Sequence, residues 1–467
     1  MLRKSFKDVL VVDMTHGGKI IAIEYSKLPS CNVFGWDIYN TLTDGDKDNL
    51  QENGVKLVDE NYLKRLYNPN PQPNVSSRSN LNELDILSVV APIHCNLDYP
   101  VDMSHHEAVA FLLMNRIEIP VIEVTGVKGK TSVVHMLKEI FKDLNPLILS
   151  SLGVEVVDDG EIKLLKRDIS ITPASIIDAW RMSQDYDVGI FIIETSLGGT
   201  GLADVGILTN IIEDYTIAKG TRKASQAKIQ IFNNKLVACD YDSFNLFYPD
   251  FKDKTNTFSI DGKGNVKASN IIFGFHETVF QVEVKDLKTI SSEIYNDSFE
   301  ISTFAPALHH VQNVLSTICA SLTLGISKNI IITGLKNFNG LKGRTSITNR
   351  NDIRIIEEVN PGINLATIKK SISMLEDLPR SSVVFGGKYG VTCEEINEES
   401  AASILNELTE NIQLILTDEL GNSVKDTMKR DFHYIPYLDE AMDYAFNSGC
   451  QNILLIYRSN FHDLQHR

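Results

Sequence analysis

Val121–Phe141, VIEVTGVKGKTSVVHMLKEIF, passes from an apolar strand through a glycine loop into a helix without a break. Val121, Ile122 and Val124 are β-branched and apolar, as a buried parallel strand requires. Thr125-Gly126-Val127-Lys128-Gly129 then turns the backbone, and Lys130, Thr131 and Ser132 open the helix. Glycines in such a loop let successive N–H groups face one concavity, and the helix N-terminus adds partial positive charge to it. Lys130 brings an ammonium to terminal phosphates, and Thr131 offers a hydroxyl to Mg2+. The competing reading is a bare glycine turn; the GKTS tetrad at this junction favours a nucleotide site. The loop is short, because the common form is G-x-x-x-x-G-K-[ST] and here only Val127 and Lys128 separate the glycines.

At 467 residues the chain is too long for one core, and a typical domain of about 150 residues suggests roughly three. Hydrophobic residues make up 43%, which supports globular folding. Its 45 basic and 61 acidic residues give a net charge of −16, which argues against nucleic acid or an anionic membrane as partner. The cysteines at 31, 95, 239, 319, 393 and 450 form no C-x-x-C pair, so neither zinc nor a disulfide framework is indicated and a reducing cytoplasm fits. The start MLRKSFKDVLVVDM lacks the apolar core and cleavage site of a signal peptide, and no apolar run approaches the roughly 18 residues of a membrane span. A soluble cytoplasmic protein is expected.

Outward from the loop, three α/β segments are expected: 1–104 as a substrate-binding unit, 105–345 as the central nucleotide domain with a parallel sheet, and 346–467 as a Rossmann-like domain. In the first, the strand Val9–Val12 runs into Asp13-Met14-Thr15-His16-Gly17-Gly18, which reads equally as a ligand loop or an ordinary strand-to-helix turn. The Pro-, Asn- and Ser-rich stretch Tyr67–Asn80 reads as a loop, and Ile86–Val90 as a strand ending in Ala91-Pro92-Ile93-His94 on the same side. A packed or solvated His94 is the commoner outcome. In the central segment Ser104 caps a helix with Glu107 at its third position, and strands are expected at 147–150, 188–193 and 205–209. Residues 241–304 read as several short strands, and Ser225–Phe232 as the start of a helix. The last segment carries strands at 353–356, 382–385, 414–416 and 453–456.

Ligands of open α/β sheets bind outside the carboxyl ends of the strands, and Glu194 emerges there from FIIE, as a hard oxygen ligand suited to Mg2+ or as a turn cap. Lys228 alone would be an ordinary solvated helix lysine. The motifs together resemble the Mur ligase family, the ATP-dependent ligases that activate a carboxylate as an acyl phosphate. TGVKGKTS resembles its phosphate loop, ITPA its T-T-P segment, ETSLGG its E-x-S-x-G strand end, TNIIEDY its T-N-I-x-x-D-H segment and AKIQIF its A-K-x-x-I-F helix. His309-His310-Val311-Gln312-Asn313 resembles H-N-x-x-N, and Leu341-Lys342-Gly343-Arg344 the closing G-R. The resemblance implies a three-domain fold and ATP held by Thr125, Gly126, Val127, Lys128, Gly129, Lys130, Thr131 and Ser132. It further implies that Asn313 contacts adenine, that Glu357 or Glu358 contacts ribose, and that Arg344 steadies the phosphate in transfer. Thr131, Glu194 and a carbamylated Lys228 would hold Mg2+, with Lys130, Glu194, Lys228 and Arg344 forming the catalytic set.

The departures are informative. Tyr215 stands where the family has a metal-binding His, His310 replaces the Asn of H-N-x-x-N, the amino-acid motif D-N-P-R is absent, and Ile456-Tyr457-Arg458-Ser459 replaces a G-K-G turn. The Asp13–Gly18 start, Trp36–Tyr39 and ETSLGGTGLADVG are similar to one archaeal branch, which uses ATP to close a carbocyclic ring on a nickel tetrapyrrole. A carboxylate-bearing small molecule, in this branch a nickel tetrapyrrole, is therefore the expected substrate, with Lys19, Lys128, Arg222 and Lys223 as candidate partners for its carboxylates. An amide ligase using a separate amine and a non-catalytic nucleotide sensor are the alternatives.

Overall fold

A computed structural model describes residues 8–67, 87–167, 169–341, 344–375, 378–389 and 396–459. Most of the expected loop Tyr67–Asn80, together with Ile86, Lys342 and Gly343, lies outside them. The chain divides into two compact units: Met1–Ser269 with Gln281–Glu300 and Gln312–Leu335, and Asn270–Phe280 with Ile301–Val311 and Lys336–Arg467.

In the first unit, β1 (Asp8–Val12), β2 (Asn32–Trp36), β3 (Val55–Val58), β4 (Leu87–Ala91) and β5 (Met103–Ser104) form a sheet of order β3-β2-β1-β4-β5 in which every pairing is parallel. Alternation along β1 builds two layers, Val9 and Val11 packing with Ile21, Ala22 and Tyr25, and Leu10 and Val12 with Val89 and Ala91. The order reverses between β1 and β4, so their carboxyl ends flank the crevice where sheets of this kind take ligands.

The second sheet contains β6 (Val121–Thr125), β7 (Pro146–Ser150), β8 (Gly153–Asp158), β9 (Glu161–Lys166), β10 (Ile190–Glu194) and β11 (Val205–Leu208). After a two-stranded ribbon, β12 (Thr216–Ile217) and β13 (Arg222–Lys223), it continues with β14 (Leu236–Asp240), β15 (Thr255–Ser259), β16 (Val266–Ile272), β17 (Thr278–Lys288) and β18 (Ile294–Thr303). Its order among the described residues is β18-β17-β16-β15-β14-β11-β6-β10-β7-β8-β9, parallel from β16 to β7. Thus β6, buried along its whole length, lies between β10 and β11. Residues 241–304 differ from expectation. The stretch opens with a helix, Tyr241–Phe247, because Asp240 caps it by accepting from Ser243 N at 2.9 Å, and its last two strands run to 11 and 10 residues. The expected helix at 225–232 is an α-helix only over Ala224–Lys228 and continues as a 3-10 turn to Asn233.

In the second unit, β19 (Arg344–Arg350), β20 (Ile353–Val359), β21 (Ser381–Gly387), β22 (Gln413–Thr417), β23 (His433–Ile435) and β24 (Asn452–Arg458) take the order β19-β20-β24-β21-β22-β23. Only the β19–β20 pair is antiparallel, giving the Rossmann-like arrangement. The strand β19, RTSITNR, escaped the sequence reading because an exposed edge needs no apolar run.

Three buried polar side chains tie the layers of the first unit. Glu123, in the middle of β6, is fully buried and accepts from Thr200 N at 3.0 Å, Asn234 Nδ2 at 3.0 Å and the Thr200 hydroxyl. Burial raises its pKa, against which these bonds act. The helix His105–Leu113 has the expected Ser104–Glu107 capping box, and its first two side chains reach opposite ways, His105 Nε2 donating to Val12 O and His106 Nε2 to Ser196 O, each at 2.9 Å. Burial pushes both imidazoles down to about 4 from the ordinary 6.5, so they are neutral in the fold.

Glu123→Ala strands the Thr200 and Asn234 donors and is expected to cost about 3 kcal/mol in denaturant unfolding; a loss below about 0.5 kcal/mol would remove the network from the fold's supports. The histidines set a pH dependence. Their folded pKa values lie below the unfolded value, so their contribution is complete above pH 6.5 and is lost as pH falls toward about 4. Each adds a slope of up to about 1.4 kcal/mol per pH unit. His106→Gln should flatten the fall of the unfolding midpoint across that window, and an unchanged slope would show that His106 titrates as in the unfolded chain.

Candidate functional site

The phosphate loop is fixed by its neighbours. Gly126 and Gly129 have φ of +141° and +90°, and a Cβ on them would stand 2.0 Å from Thr209 Oγ1 and 2.2 Å from Asn313 Oδ1. Asn210 clamps the span between them: its carbonyl accepts from Val127 N at 3.0 Å, its Oδ1 from Lys128 N at 3.2 Å, and its Nδ2 donates to Lys128 O at 3.0 Å. The Thr209 hydroxyl donates to the same carbonyl at 2.6 Å, and Thr125 Oγ1 to Thr195 O at 3.2 Å. Val127 and Lys128 N–H are turned to Asn210, and the first amides of the helix Lys130–Ile140 lack intrahelical acceptors. Lys130 Nζ lies 3.2 Å from Gly126 O, folded over the loop. Ser132 is in the first turn.

Thr131 and Glu194, far apart in sequence, converge here. The Thr131 hydroxyl donates to Glu194 Oε1 at 3.2 Å and lies 3.1 Å from Ser151 Oγ, while Ser151 N donates to Glu194 Oε2 at 3.0 Å. Glu194 is 2% exposed, a carboxylate held by neutral donors at the end of a buried strand. Hydroxyls and a carboxylate are the oxygen set that suits Mg2+. Ser151 was not anticipated; beyond β7, SSLG carries no signal beyond a turn.

Lys228 is 1% exposed, not the solvated lysine its local sequence suggests. Its helix packs on the ETSLGG loop, where a Cβ on Gly198, at φ +123°, would lie 2.7 Å from Ala227 O. Asp214 anchors that helix by accepting from Ser225 N at 2.8 Å and Ser225 Oγ at 2.9 Å, and Tyr215 O accepts from Ala224 N at 2.9 Å. Gln230 joins the first sheet to this layer, accepting from Ser104 Oγ at 2.6 Å and donating to Leu197 O at 3.1 Å.

The strand-end loops of the first sheet also meet. His94 Nε2 stands 3.4 Å from Asp13 Oδ2, and His16 Nδ1 stands 2.7 Å from the same oxygen. Burial alone would raise the Asp13 pKa, but His94 and His16 bring it down to about 2. Gly17, at φ +101°, sits on Ala174 of the ITPA segment, and Arg222 Nη1 donates to Ile93 O at 2.8 Å. Lys19 is paired with Asp46 at 2.6 Å.

In the second unit, Arg344 and Glu358 are register partners in the β19–β20 pair, as are Ser346 and Glu357. Glu358 is buried and accepts from the Thr345 hydroxyl at 2.6 Å and Asn360 Nδ2 at 2.5 Å, whereas the half-buried Glu357 accepts only from Ser346 Oγ, at 3.0 Å, among the described contacts. Tyr457 and Arg458 are buried at the end of β24, with Tyr457 OH donating to Asp418 at 2.6 Å and Arg458 Nε to Pro361 O at 3.2 Å.

A family model described as the C-terminal domain of coenzyme F430 synthetase CfbE matches residues 347–460. The chain is 26% identical over 439 residues to the coenzyme F(430) synthetase of Methanocaldococcus jannaschii, covering 92% of this chain and 95% of that protein. It is 26% identical over 485 residues to that of Methanosarcina acetivorans, covering 96% and 98%. Among solved structures, MurF from Acinetobacter baumannii aligns with a TM-score of 0.59 at 16% identity, over 81% of this chain and 83% of that one. MurF ligase from Thermotoga maritima in complex with ADP gives 0.56 at 15% identity over 93% of each. Among the described residues no helix is long and apolar enough to cross a membrane. With a short phosphate loop, a hydroxyl–carboxylate pair beside it and this likeness across the chain, the protein is an ATP-dependent ligase of Mur ligase fold, similar along 92% to 96% of its length to coenzyme F(430) synthetases.

Proposed function

We propose that this ligase activates a propionate-type carboxylate of a nickel tetrapyrrole and closes a carbocyclic ring within that molecule, yielding coenzyme F(430). The observation that carries the reading is the likeness to coenzyme F(430) synthetases over nearly the whole chain, joined to a third segment without D-N-P-R, whose Tyr457 and Arg458 are buried in its own sheet. A substrate carboxylate oxygen attacks the γ-phosphorus, ADP leaves, and an acyl phosphate forms. A carbon nucleophile of the same molecule then attacks the acyl carbon and phosphate leaves, so that overall one water is lost from the substrate. Lys130 moves from Gly126 O onto the β- and γ-phosphates, and Arg344 steadies the charge in transfer. Thr131 and Glu194 would hold Mg2+, which when bound supplies charge against the phosphate oxygens. Lys228, buried beside the Glu194 loop, is carbamylated and adds a further oxygen ligand, while Asn313 contacts adenine and Glu357 contacts ribose, Glu358 being occupied with Thr345 and Asn360. The free cysteines among the described residues, Cys31, Cys95, Cys239, Cys319 and Cys450, suit a reducing cytoplasm.

Lys130→Ala should abolish ADP release while leaving the unfolding midpoint in place. Lys228→Ala should lose activity and regain part of it when a short carboxylate is added; wild-type turnover in that variant would remove the carbamate from the mechanism. An ATP-binding protein that never forms ADP with substrate present would be the sensor. Product mass decides the acceptor: ring closure lowers the substrate mass by one water, whereas a product carrying an added amine would replace cyclisation by amide ligation and leave the ligase assignment standing.

A further inference from the structure

We propose that Asp13, His16 and His94 form a divalent transition-metal site at the switch point of the first sheet, separate from the Mg2+ position at Thr131 and Glu194. The three residues leave the carboxyl ends of β1 and β4, the adjacent strands between which the order reverses. Asp13 Oδ2, His16 Nδ1 and a His94 ring nitrogen lie within 4.8 Å of one another. Donors bound to one ion at about 2.1 Å in tetrahedral geometry stand about 3.4 Å apart, and the His94 Nε2 to Asp13 Oδ2 distance is already 3.4 Å.

Each donor is held from behind. Asp13 takes the left-handed backbone conformation, φ 69°, and its Oδ1 accepts from Thr15 N at 3.0 Å and His16 N at 3.2 Å, which leaves Oδ2 turned to the histidines. The imidazoles meet edge to face with centroids 4.9 Å apart. Gly18 allows no side chain, since a Cβ there would lie 2.1 Å from Asp13 O, so the loop has little freedom to splay.

The decisive feature is His94. Its Nε2 is buried, stands 3.4 Å from the buried Asp13 carboxylate and makes no hydrogen bond of good geometry among the described residues, an arrangement that costs free energy unless something bridges the two. An ion would replace the proton that His16 Nδ1 shares with Asp13, that proton leaving to solvent, and would satisfy His94 at the same time. Two imidazoles and one carboxylate select a borderline first-row cation such as Zn2+, Co2+ or Ni2+ over Mg2+ or Ca2+. His16 is 49% exposed, so the ion can enter, and three protein ligands leave a position open for an anionic oxygen such as a substrate carboxylate. None of this depends on the tetrapyrrole reading, because the ligands belong to the chain alone.

Full-length protein stripped with chelator and then saturated with Mg–ATP would be titrated with Co2+ by absorption and with Zn2+ by calorimetry. One ion per chain at micromolar or tighter affinity is expected, weakened at least about 100-fold in His94→Gln and in Asp13→Asn. ATP binding by each variant reports an intact fold, and the half-exposed His16→Asn supplies the same comparison if either buried substitution unfolds the chain. Wild-type protein that takes up no Co2+ at 100-fold excess, or variants that bind it unchanged, would reduce the cluster to a histidine–aspartate ion pair and overturn the site.

Discussion

The phosphate loop has no room for a side chain at either glycine, and that constraint organises the first unit. Thr209 stands against Gly126 and Asn313 against Gly129, so the end of β11 and the helix Leu308–Thr323 must both reach the loop for it to close. Asn210 completes the clamp with bonds to Val127 and Lys128. Rigidity of this kind is what anion binding needs, since donors positioned before the phosphate arrives lose little entropy when it does.

Charge is handled by the same means. Glu123 and Glu194 lie on neighbouring strands, one in the middle of β6 and one at the end of β10, and both are almost fully buried. Glu123 is enclosed by Thr200 and Asn234 and serves the fold, whereas Glu194 meets a hydroxyl and an amide beside the loop, the position at which we propose that it holds Mg2+. Position along the strand separates their surroundings: Glu123 is sealed in mid-strand, whereas Glu194 stands at the strand end beside Thr131 and Ser151.

The strand, glycine turn and helix of residues 121–141 were legible because all their parts are contiguous: an apolar strand, two glycines and GKTS suffice to place the turn. Glu194 was legible for a similar reason, as the polar end of an apolar run. Ser151 as a partner of Glu194 and Asn210 as the loop's clamp were not, because each acts on a partner that only the sheet order brings near. Asp13 and His94 show the same limit, since either alone reads as a turn residue or a packed histidine and only the β1–β4 pairing makes them neighbours. Lys228 reads as solvated until the helix is seen to lie on the Gly198 turn. The edge strand β19 was missed because three of its seven residues face water and leave no apolar run.

The parallel pairing of β1 with β4 bears on how freely this part of the gene can vary. Asp8, Val9, Leu10 and Val11 are in register with Leu87, Ser88, Val89 and Val90, so the position of His94 beside Asp13 is set by the sheet and not by the path of the chain between them. A single-residue insertion or deletion within β4 would exchange the side chains of its two packed layers, Val90 on one and Val89 and Ala91 on the other, and carry His94 away from Asp13, so this strand can change its apolar residues but not its length.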